Sequence, residues 1–250
     1  MKKEQLSWTR IVLFFVVATV VSNIFRFDVF GFRPYFEQLP VLLSILVILT
    51  LEGSGVIAAA WLCMALLRRQ RSTNITLLGT SKFKGLMMAA IPVLVVMSIG
   101  VVNDAGVNEH IYGLAAIVGS LSYCIMEEYG WRGYLHEELR GVSPPVKYVS
   151  IGCIWYVWHL SFLTEATLGS NLFFLSMIIL GSWGIGQVVE ATKSVLASAC
   201  FHLVIQIIMY NSFIKDGMGI VEKLGILAVC VIAWFLIIKK WEKEQASEVF

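Results

Sequence analysis

The sequence predicts an all-α, polytopic membrane bundle of about eight transmembrane helices. Three observations carry that expectation: an apolar composition, long apolar runs cut by polar punctuation, and a one-sided distribution of Lys and Arg. Of the 250 residues, 58% are hydrophobic and 14% are charged, and the mean hydropathy is +0.79. Soluble domains average roughly 45–50% apolar and 25% charged. Charge this sparse excludes a soluble globule, and 20 Gly with 5 Pro are too few for a fibrous or disordered chain. A net charge of +2 offers no basic surface to nucleic acid. The five cysteines, Cys63, Cys124, Cys153, Cys200 and Cys230, fall inside apolar stretches and lack the short paired spacing of zinc or redox motifs. They read as small buried hydrophobes.

A hydrocarbon core about 30 Å thick takes roughly 20 apolar residues per helix. Cutting the chain at its charged punctuation gives eight spans: Ile11 to Phe25, Pro40 to Leu67, Leu86 to Val102, Ile111 to Met126 with an extension past it, Val146 to Leu163, Leu172 to Val188, Val195 to Tyr210, and Ile220 to Ile238. The first follows Met1-Lys2-Lys3 with no clear Ala-x-Ala site and reads as an uncleaved signal anchor. With both termini cytoplasmic, fifteen of the 19 basic residues fall inside, leaving only Arg26, Arg33, Lys215 and Lys223 outside. This agrees with the positive-inside rule. No repeat, low-complexity tract or hydrophilic domain interrupts the pattern, so residues 1–250 are expected to form a single transmembrane domain with the informative residues at about 120–210.

Ionisable groups inside a bilayer cost several kcal/mol unless paired or facing a water-filled cavity, so each one is a functional candidate. Here they are Glu52, the adjacent Glu127 and Glu128, His159, Glu190 and His202. At 1.5 Å per residue, His159 lies about 20 Å and His202 about 10 Å from the cytoplasmic start of its span. Glu127 ends a span running the other way, so the three are expected to meet in the inner half of the bundle. Glu128 and Arg132 stand at i, i+4, the acid-before-base order that favours an ion pair, while Glu127 is turned about 100° away. One carboxylate is then neutralised and the other left free for general-base work. Trp155 shares a helix face with His159, and His202 shares one with Gln206. Glu52, beside Gly53-Ser54-Gly55, is expected to make a structural hydrogen bond in a tight helix contact, and Glu190 to sit at the membrane interface. Nothing in the sequence activates a thiolate at Cys124 or Cys200.

A carboxylate, two imidazoles and an amide inside a membrane suit hydrolysis, in which water is activated and an oxyanion stabilised. Other intramembrane hydrolases leave different marks. A zincin helix needs His-Glu-x-x-His, whereas His136-Glu137-Glu138-Leu139-Arg140 has an arginine at the second ligand. Gly181-Ser182-Trp183-Gly184 and Gly53-Ser54-Gly55 misplace the serine of a rhomboid motif, and Asp28, Asp104 and Asp216 lie in loops rather than spans.

The stretch Glu127-Glu128-Tyr129-Gly130-Trp131-Arg132 resembles the Glu-Glu-x-x-x-Arg motif of the CaaX protease and bacteriocin-processing (Abi) family of intramembrane glutamate proteases. The family's Phe-x-x-x-His and His-x-x-x-Asn follow in order as Trp155-Tyr156-Val157-Trp158-His159 and His202-Leu203-Val204-Ile205-Gln206, with Trp for Phe and Gln for Asn. The resemblance covers about residues 120–210, and the eight-span plan is also similar to the family's. It implies that Glu127 and His159 activate water, that Glu128 supports Arg132, and that His202 and Gln206 stabilise the oxyanion or hold the water. Trp155, a larger ring than Phe, would narrow the cavity.

The expected mechanism requires no cofactor; the alternative is a catalytic Zn²⁺ on Glu127, His159 and His202. The expected partners are a membrane-associated peptide or protein substrate and the lipid bilayer, without nucleic acid. The expected location is a bacterial plasma membrane. A rival reading is an inactive family member or a transporter acting as a membrane scaffold, although a transporter should show repeat symmetry and broken helices that this chain lacks.

Overall fold

The computed structural model describes residues 6–67, 74–160, 167–209 and 211–247, and these are helical with no strand among them. In chain order the helices are α1 (Trp8–Arg26), α2 (Arg33–Glu37), α3 (Val41–Leu66), α4 (Lys82–Ile99) and α5 (Glu109–Glu128). A π-helical turn (Tyr129–Leu135) leads directly into α6 (His136–Glu138), followed by α7 (Pro144–Trp158), α8 (Leu168–Thr192), α9 (Val195–Met209), α10 (Ser212–Lys215) and α11 (Ile220–Ser247). Local chemistry sets several ends. Asn108 Oδ1 accepts from the backbone N–H of His110 and Ile111 at 3.1 and 3.3 Å to cap α5, and two prolines open α7. Lys193, at φ +54°, ends α8 and reverses the chain at once into α9.

Among the described residues, six helices are long and apolar enough to cross a membrane: Trp8–Arg26, Val41–Leu66, Lys82–Ile99, Glu109–Glu138, Leu168–Thr192 and Ile220–Glu244. The other two expected spans are α7 and α9, of 15 residues each. That is about 22 Å of helix, short of a hydrocarbon core about 30 Å thick. These two short helices bear the motif histidines. The fourth span differs in the opposite sense, running 30 residues to Glu138. Glu127 therefore lies well inside a helix and not at its end.

The bundle packs α1 on α3, α3 on α5, α4 and α9 on α5, α7 on α8 and α11 on α4. The glycine cluster makes the tight contacts expected of it. A Cβ on Gly55 would stand 2.4 Å from Ser22 N, and one on Gly53 would stand 3.1 Å from Tyr123 Cα. Two apolar clusters result. One includes Met88, Ile117, Cys124, Leu203 and Trp234, and the other Phe14, Val56, Trp131, Trp155 and Trp158. Glu127 and Glu128 lie in sequence between Cys124 of the first and Trp131 of the second. Large apolar side chains such as Val20, Trp61, Leu180 and Phe235 are exposed on the outside, as a lipid-facing surface requires.

Candidate active site

At Glu128 the α-helical ladder gives way to seven π-helical residues, Tyr129–Leu135. Such insertions widen the turn and recur at functional sites. Gly130 lets this turn approach α1 and α3, since a Cβ there would stand 2.2 Å from Val56 Cγ1 and 3.1 Å from Phe14 Cζ. The turn carries the first motif into the centre of the bundle, where Glu127, Glu128 and Arg132 are all 0% exposed.

Arg132 Nη1 donates to Glu128 Oε1 at 3.2 Å and lies 3.1 Å from Oε2. Glu128 is not a partner to Arg132 alone, because His202 Nδ1 lies 3.0 Å from the same Oε1, without the alignment of a hydrogen bond. Glu127 was expected to be free and is not. Its Oε2 accepts from two indoles, Trp131 Nε1 at 3.2 Å and Trp155 Nε1 at 3.0 Å, while its Oε1 accepts no hydrogen bond. The Tyr123 hydroxyl interacts with the same carboxylate. Trp131 stands at i, i+4 from Glu127, the spacing that pairs Glu128 with Arg132, so sequence could have shown this contact.

Beyond Glu127, Trp155 touches Arg132, His159 and His202. Its ring packs edge-on to His202 at 4.9 Å, lies under the Arg132 guanidinium at 5.0 Å and is tilted to His159 at 6.0 Å between centres. Its carbonyl lies 2.9 Å from His159 Nδ1. A carbonyl only accepts, so Nδ1 carries the proton, and in a neutral ring Nε2 is then the acceptor nitrogen.

A cavity of about 700 Å³ opens beside these groups, lined by Tyr123, Trp155, His159, His202 and Gln206, with Arg26, Arg33, Glu52 and Asn211 further out. Glu127, Glu128 and Arg132 lie behind this wall. The outer lining comes from the loop after α1, the start of α3 and the segment after α9, which is the bundle end opposite the chain's start. This corrects the inner-half expectation. His159 caps the far end of α7 and His202 stands at the middle of α9, both of which start at the other end of the bundle, and Glu127 meets them well along a long helix.

Glu52 is placed differently from its expectation. Gly53 and Gly55 make the helix contact, while Glu52 faces the cavity and pairs with Arg33 at 3.1 Å. Glu190 lies at the other end of the bundle, with His136 Nε2 at 2.7 Å, Lys147 Nζ at 3.0 Å and Lys193 Nζ at 2.9 Å. Sequence reasoning missed Arg26, whose guanidinium lies 4.2 Å over the Trp158 ring and 3.4 Å from the Tyr123 hydroxyl. A lone arginine at a helix end carried no signal for this.

The zinc alternative requires Glu127, His159 and His202 to converge at about 2.0–2.2 Å on one ion. Among the described residues no group of three His, Cys, Asp or Glu is so gathered. Two N–H donors occupy Oε2 of Glu127, the Trp155 carbonyl faces Nδ1 of His159, and Nδ1 of His202 is turned to Glu128, which leaves Oε1 and the two Nε2 atoms as the only candidate ligands. The three residues are not gathered about one point, so they do not fit the ion as they stand.

Residues 110–208, from α5 into α9, match the family model described as type II CAAX prenyl endopeptidase Rce1-like. The motif-bearing core is similar to that family over these residues. A comparison with curated proteins gives no match. The Rce1-like stretch takes in the two carboxylates, the π-turn, both short helices and the cavity-lining His159, His202 and Gln206. This similarity supports a protease in a membrane setting.

Proposed function

We propose that the chain is an intramembrane endopeptidase that hydrolyses a peptide bond of a membrane-associated peptide or protein through water activated by Glu127 and His159. The observation that carries this reading is the convergence of three separated motifs beside one cavity. Trp155, at the cavity wall, donates to Glu127, and His159 and His202 flank it on the same wall. His159 Nε2 and the Glu127 carboxylate supply proton acceptors. As water attacks the substrate carbonyl, its proton passes to this pair and then to the leaving amine, leaving a new carboxylate. General-base assistance of this kind contributes about 10²- to 10⁴-fold. Nδ1 of His202 faces the Glu128 carboxylate; as an imidazolium, with both nitrogens protonated, His202 donates from Nε2 to the oxyanion beside the Gln206 amide, one helical turn on. Glu128, between Arg132 and His202, holds both in place. No metal takes part in these steps.

We further place the protein in a bacterial plasma membrane with both termini cytoplasmic, on the fifteen-to-four split of its basic residues. An introduced Cys at Asn74 should then react with impermeant reagent only from the cytoplasmic side.

The enclosure of Glu127 behind Trp155 favours a second reading, a family member that binds a peptide segment without cleaving it. Comparing the membrane peptidomes of cells carrying wild-type and Glu127→Ala protein separates the two. Protease action yields fragments present only with the wild type; identical peptidomes leave the binding reading.

A further inference from the structure

Trp131 and Trp155 direct their indole N–H groups at one oxygen of one carboxylate, Oε2 of Glu127, at 3.2 and 3.0 Å. The other oxygen, Oε1, is buried and accepts no hydrogen bond. An indole nitrogen donates and never accepts, so both contacts have a fixed sense. The rings that carry them are locked. Trp131 packs edge-on against Phe14 at 5.4 Å and Trp158 at 5.7 Å, and Trp155 packs against Trp131 at 6.4 Å and His202 at 4.9 Å. A rotation of Glu127 that exchanged its two oxygens would break both charge-assisted bonds inside a packed aromatic cluster.

We propose that Trp131 and Trp155 are positioning residues that fix the orientation of Glu127 and so assign proton acceptance to Oε1 alone. The proposal rests on the protease reading above. Trp155 extends the same control to His159, since its backbone carbonyl fixes the proton on Nδ1. One residue thereby orients both groups to which the protease reading assigns the water's proton. The family motif has Phe at this position; a Phe keeps the ring and loses the donor, so in this chain Trp adds a second bond to the one that Trp131 already makes.

The experiment uses the purified protein in nanodiscs, with ¹⁵N-labelled indoles and a quenched-fluorescent farnesylated CaaX peptide as substrate probe. Of the eight tryptophan Nε1–H signals, those of residues 131 and 155 are assigned by Trp131→Phe and Trp155→Phe. Glu127→Gln, which replaces a charged acceptor with a neutral one, should move both upfield and leave the rest in place. In the kinetic arm Trp155→Phe should lower kcat about 10- to 100-fold, the loss expected for one hydrogen bond to a charged group, with KM and melting temperature unchanged. Trp131→Phe combined with it should lower kcat further. Indole signals that ignore Glu127→Gln overturn the proposal. So does an unchanged kcat in Trp155→Phe, or a loss that appears only in KM or in stability. If the wild-type protein leaves the peptide intact, the protease reading has failed on this probe and the indole signals alone decide whether the clamp on Glu127 exists.

Discussion

Where α6, α7 and α8 meet at one end of the bundle, Glu190 accepts from Lys147 Nζ on one oxygen and from Lys193 Nζ on the other, with His136 Nε2 at 2.7 Å. In the middle, Glu128 faces Arg132 at 3.1 Å and His202 at 3.0 Å, with Glu127 beside it. Both clusters contain carboxylate, imidazole and cation, yet they are built to different ends. The Glu190 side chain is 41% exposed and both its oxygens are bonded. The central group is sealed, and it leaves Glu127 Oε1 together with Nε and Nη2 of Arg132 without hydrogen bonds. Buried polar groups are normally satisfied, and those that are not call for an explanation such as a catalytic role. The end cluster bonds both oxygens of its carboxylate and ties three helices together, leaving only His136 Nδ1 without a hydrogen bond, whereas the central one leaves a carboxylate oxygen and two guanidinium nitrogens unbonded behind the cavity wall.

The contrast breaks most visibly in turnover. Glu127→Ala should lower peptide cleavage about 10²- to 10⁴-fold with the protein still folded in the membrane, whereas Glu190→Gln should leave cleavage unchanged; initial rates on purified protein check both. Next comes stability. Arg132→Leu strands Glu128 as an unpaired buried charge, at a cost of about 3–5 kcal/mol, visible as lost folded yield and a lower melting temperature in detergent. Lys193→Met at the half-exposed cluster should cost less than about 1 kcal/mol. A smaller effect tests the scaffold that holds the central group. Gly130→Ala drives a methyl into Val56 and should destabilise by about 1–3 kcal/mol, while Gly184→Ala, with nothing within 4 Å of its Cβ, should not. The smallest effect expected is from chelation: dialysis against 1,10-phenanthroline should leave cleavage rates unchanged, because Glu127, His159 and His202 are not gathered about one ion.

What sequence could reveal of this site follows the range of each interaction. The bundle was legible because hydropathy is summed over whole spans, and Glu128 with Arg132 because one turn separates them. Glu127 with Trp131 obeys the same spacing and was equally legible. The bond from Trp155 to Glu127 joins residues 28 apart on different helices, and Arg33 reaches Glu52 across 19; no periodicity encodes either. The π-turn was hidden because its residues keep the hydropathy of an α-helix. The length of α9 was legible, since its expected span agrees with the helix to within a residue; the end of α7 was not, because His159 and Leu160 follow Trp158 without a break in the apolar run.

The most direct test of the central claim is product analysis by mass spectrometry. Purified wild-type and Glu127→Gln protein are each reconstituted in nanodiscs with a farnesylated CaaX peptide. On whatever product the wild type releases from this probe, the account predicts a loss of at least about 100-fold in Glu127→Gln. Equal release by both proteins would contradict it.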